Sequence, residues 1–169
     1  LKKSKKTLYL ARAGIITALY VALTYACMPL AYGTIQVRIG EALTVLPLLY
    51  AESVPALFIG CALANIGSPF GFYDICIGSV VSLAAAFVTY LIGKFVKNKV
   101  LKIILGGLPP IIFNAALLPL MWLLFCNDAA YVANMLSILA TQSIFVYGLG
   151  TPLYLALAKL KEKGVKGFD

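Results

Sequence analysis

The side chains able to bind or react are few, and they gather at particular points of an apolar chain. Glu41 follows Arg38-Ile39-Gly40 at the head of one apolar run, and Asp74 follows Gly71-Phe72-Tyr73 at the head of another. A carboxylate in the first turn of a helix is favoured by the helix dipole by about 0.3–1 kcal/mol, so either acid is satisfied as a cap, and Glu41 also as a surface pair with Arg38. The same carboxylate can instead accept two parallel N–H donors, as from an amidine or a guanine edge. Asn65, Asn114 and Gln142 lie within apolar runs. An amide in hydrocarbon must face another helix or a cavity, because without a partner it costs several kcal/mol. Interhelical hydrogen bonding satisfies any one of them; as a set converging with Glu41, Asp74 and Trp122 they read better as ligand-binding groups. Trp122 either anchors the chain at the membrane interface or offers a flat face for a heterocycle.

Other chemistries fail on missing partners. The chain has no His, which removes imidazole catalysis, His-mediated proton relays and His-ligated metals. Tyr73-Asp74 is half of an intramembrane aspartyl-protease signature, but no Gly-x-Gly-Asp supplies the second carboxylate of a dyad. Cys27, Cys61, Cys76 and Cys126 form no C-x-x-C pair and read as small reduced hydrophobes. No phosphate-binding G-x-x-x-x-G-K-[ST] occurs. The expectation is a binding protein, not an enzyme, with no metal or cofactor of its own.

The elements that must position these groups are membrane helices. The 169 residues are 62% hydrophobic and only 12% charged, against about 45–50% and about 25% in globular chains. The net charge of +8 would suggest nucleic acid in a soluble protein. In a membrane chain it marks the ends of spans. Lys2, Lys3, Lys5 and Lys6 precede an apolar run that continues to Met28 without a small-x-small cleavage signal, so it reads as a span, not a secretory leader. Expected helices cover residues 8–28, 41–50, 54–67, 75–93, 101–125 and 131–158. The middle region could be one span or two short ones broken at Ala51-Glu52-Ser53. Thirteen of the fourteen Lys and Arg residues fall in the N-terminal segment, the Lys94–Lys102 loop and the C-terminal tail. Two spans put all three clusters on the cytoplasmic side. They also spare Glu52 the cost of a membrane-centre charge, about 2.5–3.5 kcal/mol. The fold class expected is an all-α membrane protein of six transmembrane helices in one domain, both termini cytoplasmic.

That topology gathers Gln36, Arg38, Glu41, Asn65, Tyr73, Asp74 and Trp122 toward the outer side, implying a cavity open to the exterior. Tyr32–Ile39 alternates polar and apolar residues as an extended first loop would; it is a lid with its apolar side down, or a connector at the headgroup boundary. On the first helix Gly14, Ala18, Ala22 and Ala26 recur every four residues. Such a small-residue stripe admits a close neighbour, either within the chain or on another protein.

Together, the Ala-striped first helix, extended first loop and short second and third helices resemble the substrate-binding S-components of energy-coupling factor (ECF) transporters. Within them the chain is similar to the queuosine-precursor transporter (QueT) family, through Gln36-Val37-Arg38-Ile39-Gly40-Glu41-Ala42-Leu43, Gly60-Cys61-x-x-Ala64-Asn65 and Asp74-Ile75-x-x-Gly78-Ser79. Gly40 departs from the Ser common before the motif Glu. The resemblance implies a bacterial plasma-membrane protein that binds a 7-deazaguanine such as queuine, preQ1 or queuosine. It implies a shared transmembrane coupling protein seated on the Gly14/Ala18/Ala22/Ala26 stripe, and two ABC ATPases that consume the ATP. Glu41, then Asp74, would take the ring N–H and exocyclic amine. Asn65, Asn114 or Gln142 would answer the carbonyl and ring nitrogen, and Trp122 or Tyr73 would stack. Another heterocyclic vitamin as ligand, a self-contained carrier and a non-transport assembly subunit are the alternatives.

Overall fold

The order of elements follows the apolar runs. In the computed structural model, which describes residues 2–31, 36–165 and 167 (side chains of 2–5 excepted), the chain forms α1 (Lys2–Ala26), the short α2 (Met28–Ala31), a 3-10 helix over Ile39–Leu48 and α3 (Ser53–Ala64). A 3-10 turn over Asn65–Gly67 ends α3, and a π-helical turn over Asp74–Gly78 leads into α4 (Ser79–Phe95). α5 (Lys99–Cys126) follows, then α6 (Tyr131–Ser143), a π-helical segment Ile144–Gly150 and α7 (Thr151–Glu162). No strand occurs among the described residues. Four helical stretches are long and apolar enough to cross a membrane: Lys6–Ala26, Asp74–Phe95, Lys99–Cys126 and Tyr131–Glu162. Ile39–Leu48 and Ser53–Gly67 are shorter apolar helices.

The second helix differs from expectation in kind. It is wound as a ten-residue 3-10 helix, where such runs seldom pass three or four residues. Its poorer internal hydrogen bonds are offset by packing: every residue from Gly40 to Leu48 is buried. With a rise of about 2.0 Å per residue it reaches about 20 Å, against about 15 Å for an α-helix of the same length. Neighbouring glycines let the surrounding helices close on it. A Cβ on Gly93 would lie 2.8 Å from the Leu48 backbone, and one on Gly150 would lie 2.9 Å from the Ala42 carbonyl oxygen. Gly150→Ala is expected to cost about 1–3 kcal/mol by overpacking, read as a lower Tm of the detergent-solubilised chain. An unchanged Tm would show that the contact yields freely.

The structure gathers the three basic clusters at one end. Arg12 donates to the Gly167 carbonyl at 2.9 Å and pairs with Glu52 at 3.0 Å. Lys161 donates to the Leu49 carbonyl at 3.1 Å, and Lys99 pairs with Glu162 at 3.3 Å. Glu52 lies in the turn between the two short helices. α1 turns Ile16, Tyr20 and Thr24 inward, four residues apart. Gly14, Ala18, Ala22 and Ala26 are all exposed, and nothing lies within 4 Å of a Cβ placed on Gly14. The small-residue stripe is therefore not consumed by packing within this chain. Its Gly14, Ala18 and Ala22 line an open groove with Pro55, Ile59 and Leu63 of α3.

Candidate functional site

At the end remote from the lysines, polar side chains from α1, the 3-10 helix, α3, the π turn and α5 converge. Glu41 is 2% exposed, and its carboxylate accepts from the Tyr20 hydroxyl at 2.7 Å. Its placement depends on Gly40, where a Cβ would lie 2.8 Å from the Thr24 hydroxyl and 3.1 Å from the Tyr20 carbonyl. A larger residue there would push the 3-10 helix off α1, which accounts for Gly40 in this chain. Arg38, in extended backbone just before this helix, is buried, and its Nε donates to the Ala31 carbonyl at 3.4 Å. The alternative of an Arg38–Glu41 pair at the surface is corrected: both residues are interior.

Asp74 is held at both oxygens. The Trp122 indole N–H donates to Oδ1 at 2.8 Å, and the Ser68 hydroxyl donates to Oδ2. An indole nitrogen can only donate, so the Oδ1 it holds is an acceptor. Trp122, itself 1% exposed, is not an interfacial anchor; one face of its ring stacks on Phe70 with centroids 4.8 Å apart. Asn65 ties the end of α3 to the π turn. Its Nδ2 donates to the Asp74 carbonyl at 3.0 Å and reaches Cys61 Sγ at 3.4 Å, while the Ser82 hydroxyl donates to the same sulfur at 3.2 Å. Asn114 donates to Gln142 Oε1 at 3.2 Å, an interhelical bond between α5 and α6. This bond satisfies only part of what the amides offer. Asn65 Oδ1 and Asn114 Oδ1 are buried without a hydrogen-bond partner, which is costly for carbonyls that could accept about two bonds each.

Glu41, Asn65, Asp74, Asn114, Trp122 and Gln142 are thus interior polar groups of one region. Gln36 is buried too, but with a φ of 51°, a left-handed conformation that breaks the expected strand alternation. Residues 32–35 of that expected extended loop lie outside the described residues. Tyr73 is corrected: it is 38% exposed and stacks on Phe125 at 5.4 Å, so it does not join the site. Between Tyr20, Thr44, Ser82 and Asn114 the interior leaves about 10 Å³, room for about one water molecule. Among the described residues these polar side chains are buried.

Sequence reasoning missed Tyr20, Ser68, Cys61 and Ser82. Tyr20 sits four residues before Thr24 on the buried face of α1, so a polar stripe beside the small-residue stripe was the signal available for it. Comparison with curated proteins and with solved structures found no match. Comparison with family models matches residues 10–159 to the QueT transporter family.

Proposed function

Because the chain belongs to the QueT transporter family over residues 10–159, we propose that it is the substrate-binding S-component of an ECF importer for a queuosine precursor or salvage product. The supporting observation is the buried polar cluster, in which Asn65 Oδ1 and Asn114 Oδ1 have no partner. Buried acceptors without partners are rare in a finished core; a ligand rich in N–H donors completes them. Glu41 takes the ring N–H and exocyclic amine of a 7-deazaguanine, and Asn65, Asn114 or Gln142 answer its remaining edge. Trp122 supplies an aromatic face, and Gln36 with Arg38 closes the site. Substrate enters at this end.

The gathered Lys and Arg residues favour a cytoplasmic face, with six crossings and both termini inside a bacterial plasma membrane. The chain itself carries no cofactor. Its exposed Gly14/Ala18/Ala22/Ala26 stripe receives a transmembrane coupling protein, and two ABC ATPases drive the reorientation that delivers substrate inward. The test is direct. The purified chain should gain thermal stability with a 7-deazaguanine, and Glu41→Gln should remove most of that gain. Ala18→Leu should leave binding intact and abolish uptake by cells that hold the coupling module. Intact uptake by Ala18→Leu cells would take the stripe out of the coupling role. Uptake by the chain alone in liposomes without ATP would replace the importer with a self-contained carrier.

A further inference from the structure

Two of the apolar stretches long enough to cross a membrane share a cleft at one end: Lys99–Cys126 begins there and Tyr131–Glu162 ends there. The cleft therefore lies at the mouth of the apolar region, the depth at which lipid headgroups sit. Its volume is about 360 Å³, over an apolar floor that includes Leu49 and the buried Tyr154. Its rim is basic. Lys97 comes from the connection between α4 and α5, Lys99 and Lys102 from the first turn of α5, and Lys161 and Glu162 from the last turn of α7. Glu162 is answered by Lys99 at 3.3 Å. Lys161 donates to the Leu49 carbonyl and stands over the Tyr50 ring, contacts that hold its ammonium in place without an acid. Among the described residues neither Lys97 nor Lys102 forms an ion pair. Three cations from separate elements are thus drawn together with no carboxylate between them, and an anion among them relieves their repulsion.

We infer that this cleft binds the phosphate of an anionic phospholipid, with Lys97, Lys102 and Lys161 around its oxygens and the acyl chains lying along the outer face of α5. Each ammonium carries up to three N–H donors, and a phosphate offers only acceptors in return. Lysine stems lie along apolar surface while their heads reach the headgroup layer, and basic pockets between membrane helices are suited to anionic headgroups. The surface next to the cleft favours a lipid over a soluble anion: Val100, Leu101 and Ile104 of α5 are 67%, 47% and 50% exposed, apolar area that acyl chains cover. The lipid has a structural use as well. Its phosphate ties the start of α5 to the end of α7, which the exposed Lys99–Glu162 pair alone holds weakly. The inference is independent of which substrate the chain carries.

Native mass spectrometry of the intact chain in a neutral detergent tests this, by titration with dioleoyl-phosphatidylglycerol or with dioleoyl-phosphatidylcholine. The anionic lipid should bind at least about tenfold tighter, and Lys97→Gln/Lys102→Gln should weaken it about 10- to 30-fold. Lys159→Gln/Lys163→Gln removes the same charge from the same end but outside the cleft, and should weaken it no more than about threefold. Equal binding of the two lipids by the unaltered chain would overturn the proposal. Equal weakening by both double variants would overturn the cleft as a site and leave only diffuse charge at this end. Displacement of the lipid by inorganic phosphate, but not by chloride of equal ionic strength, would replace it with a soluble anion. Thermal unfolding checks that the variants fold. Should the cleft double variant fail to, Lys97→Gln alone, at an exposed position, carries the same test with a loss of about fivefold.

Discussion

Arg38→Met is expected to destabilise the chain by about 3–5 kcal/mol, the cost of leaving buried charge without its partner. Among the described residues Arg38 is the one buried cation, and Glu41 and Asp74 are each 2% exposed. Without it, both carboxylates stay in the interior with only neutral donors: Tyr20 for one, Trp122 and Ser68 for the other. The measurement is the Tm of the purified chain, which should fall by about 10 °C for a protein of this size. The double variant Arg38→Met/Glu41→Gln separates charge from shape. Removing one excess negative charge should recover part of the loss, while a purely steric role for Arg38 predicts no recovery. A single variant with unchanged Tm would mean that the acids need no cation.

The second large effect lies at the other end. Arg12→Met should cost about 2–3 kcal/mol, somewhat less than a fully buried pair because the Arg12 side chain is 16% exposed. Three contacts go at once: the ion pair to Glu52, the hydrogen bond to the Gly167 carbonyl and the stacking of the guanidinium on Tyr50 at 4.8 Å. The turn joining the 3-10 helix to α3 is then released from α1, with Lys161 still seated over Tyr50 at 5.0 Å. Substrate affinity should move by no more than about twofold, since distant sites without shared partners act independently. Loss of both stability and affinity would show that the two ends are coupled.

How much of this could be read from residue order follows from what each residue needs. Glu52 announced its own turn, because a lone acid in mid-membrane is costly and a break at Ala51-Glu52-Ser53 relieved it. The four long helices were visible as apolar length. The clustering of Lys and Arg predicted that three distant segments would meet, and Arg12, Lys99 and Lys161 do so through named contacts. The 3-10 winding of Ile39–Leu48 was not legible. It is imposed by partners on every side, and glycines far along the chain, Gly93 and Gly150, make room for it. Within the buried polar cluster, Glu41, Asp74 and the three amides stood out because polar groups are rare among apolar ones. Cys61 and Tyr20 did not, since a thiol and a phenol pass as ordinary hydrophobes until a neighbour is seen to bond them. Tyr73 misled for the opposite reason: its sequence neighbour Asp74 points inward while the ring turns out to Phe125.

α1 has two faces of opposite use. One turn of it holds Tyr20, whose hydroxyl grips the Glu41 carboxylate, and Ala18 and Ala22 two residues to either side, bare to the surroundings. Anything lying against those alanines is separated from the interior acid by the girth of one helix, about 10 Å. A shift of that helix along or about its axis moves the tyrosine and the bare face together, as a key turns its bit and its bow. News of an occupied site therefore need not travel through the core, because the same rod that touches the acid is the one presented to whatever stands outside.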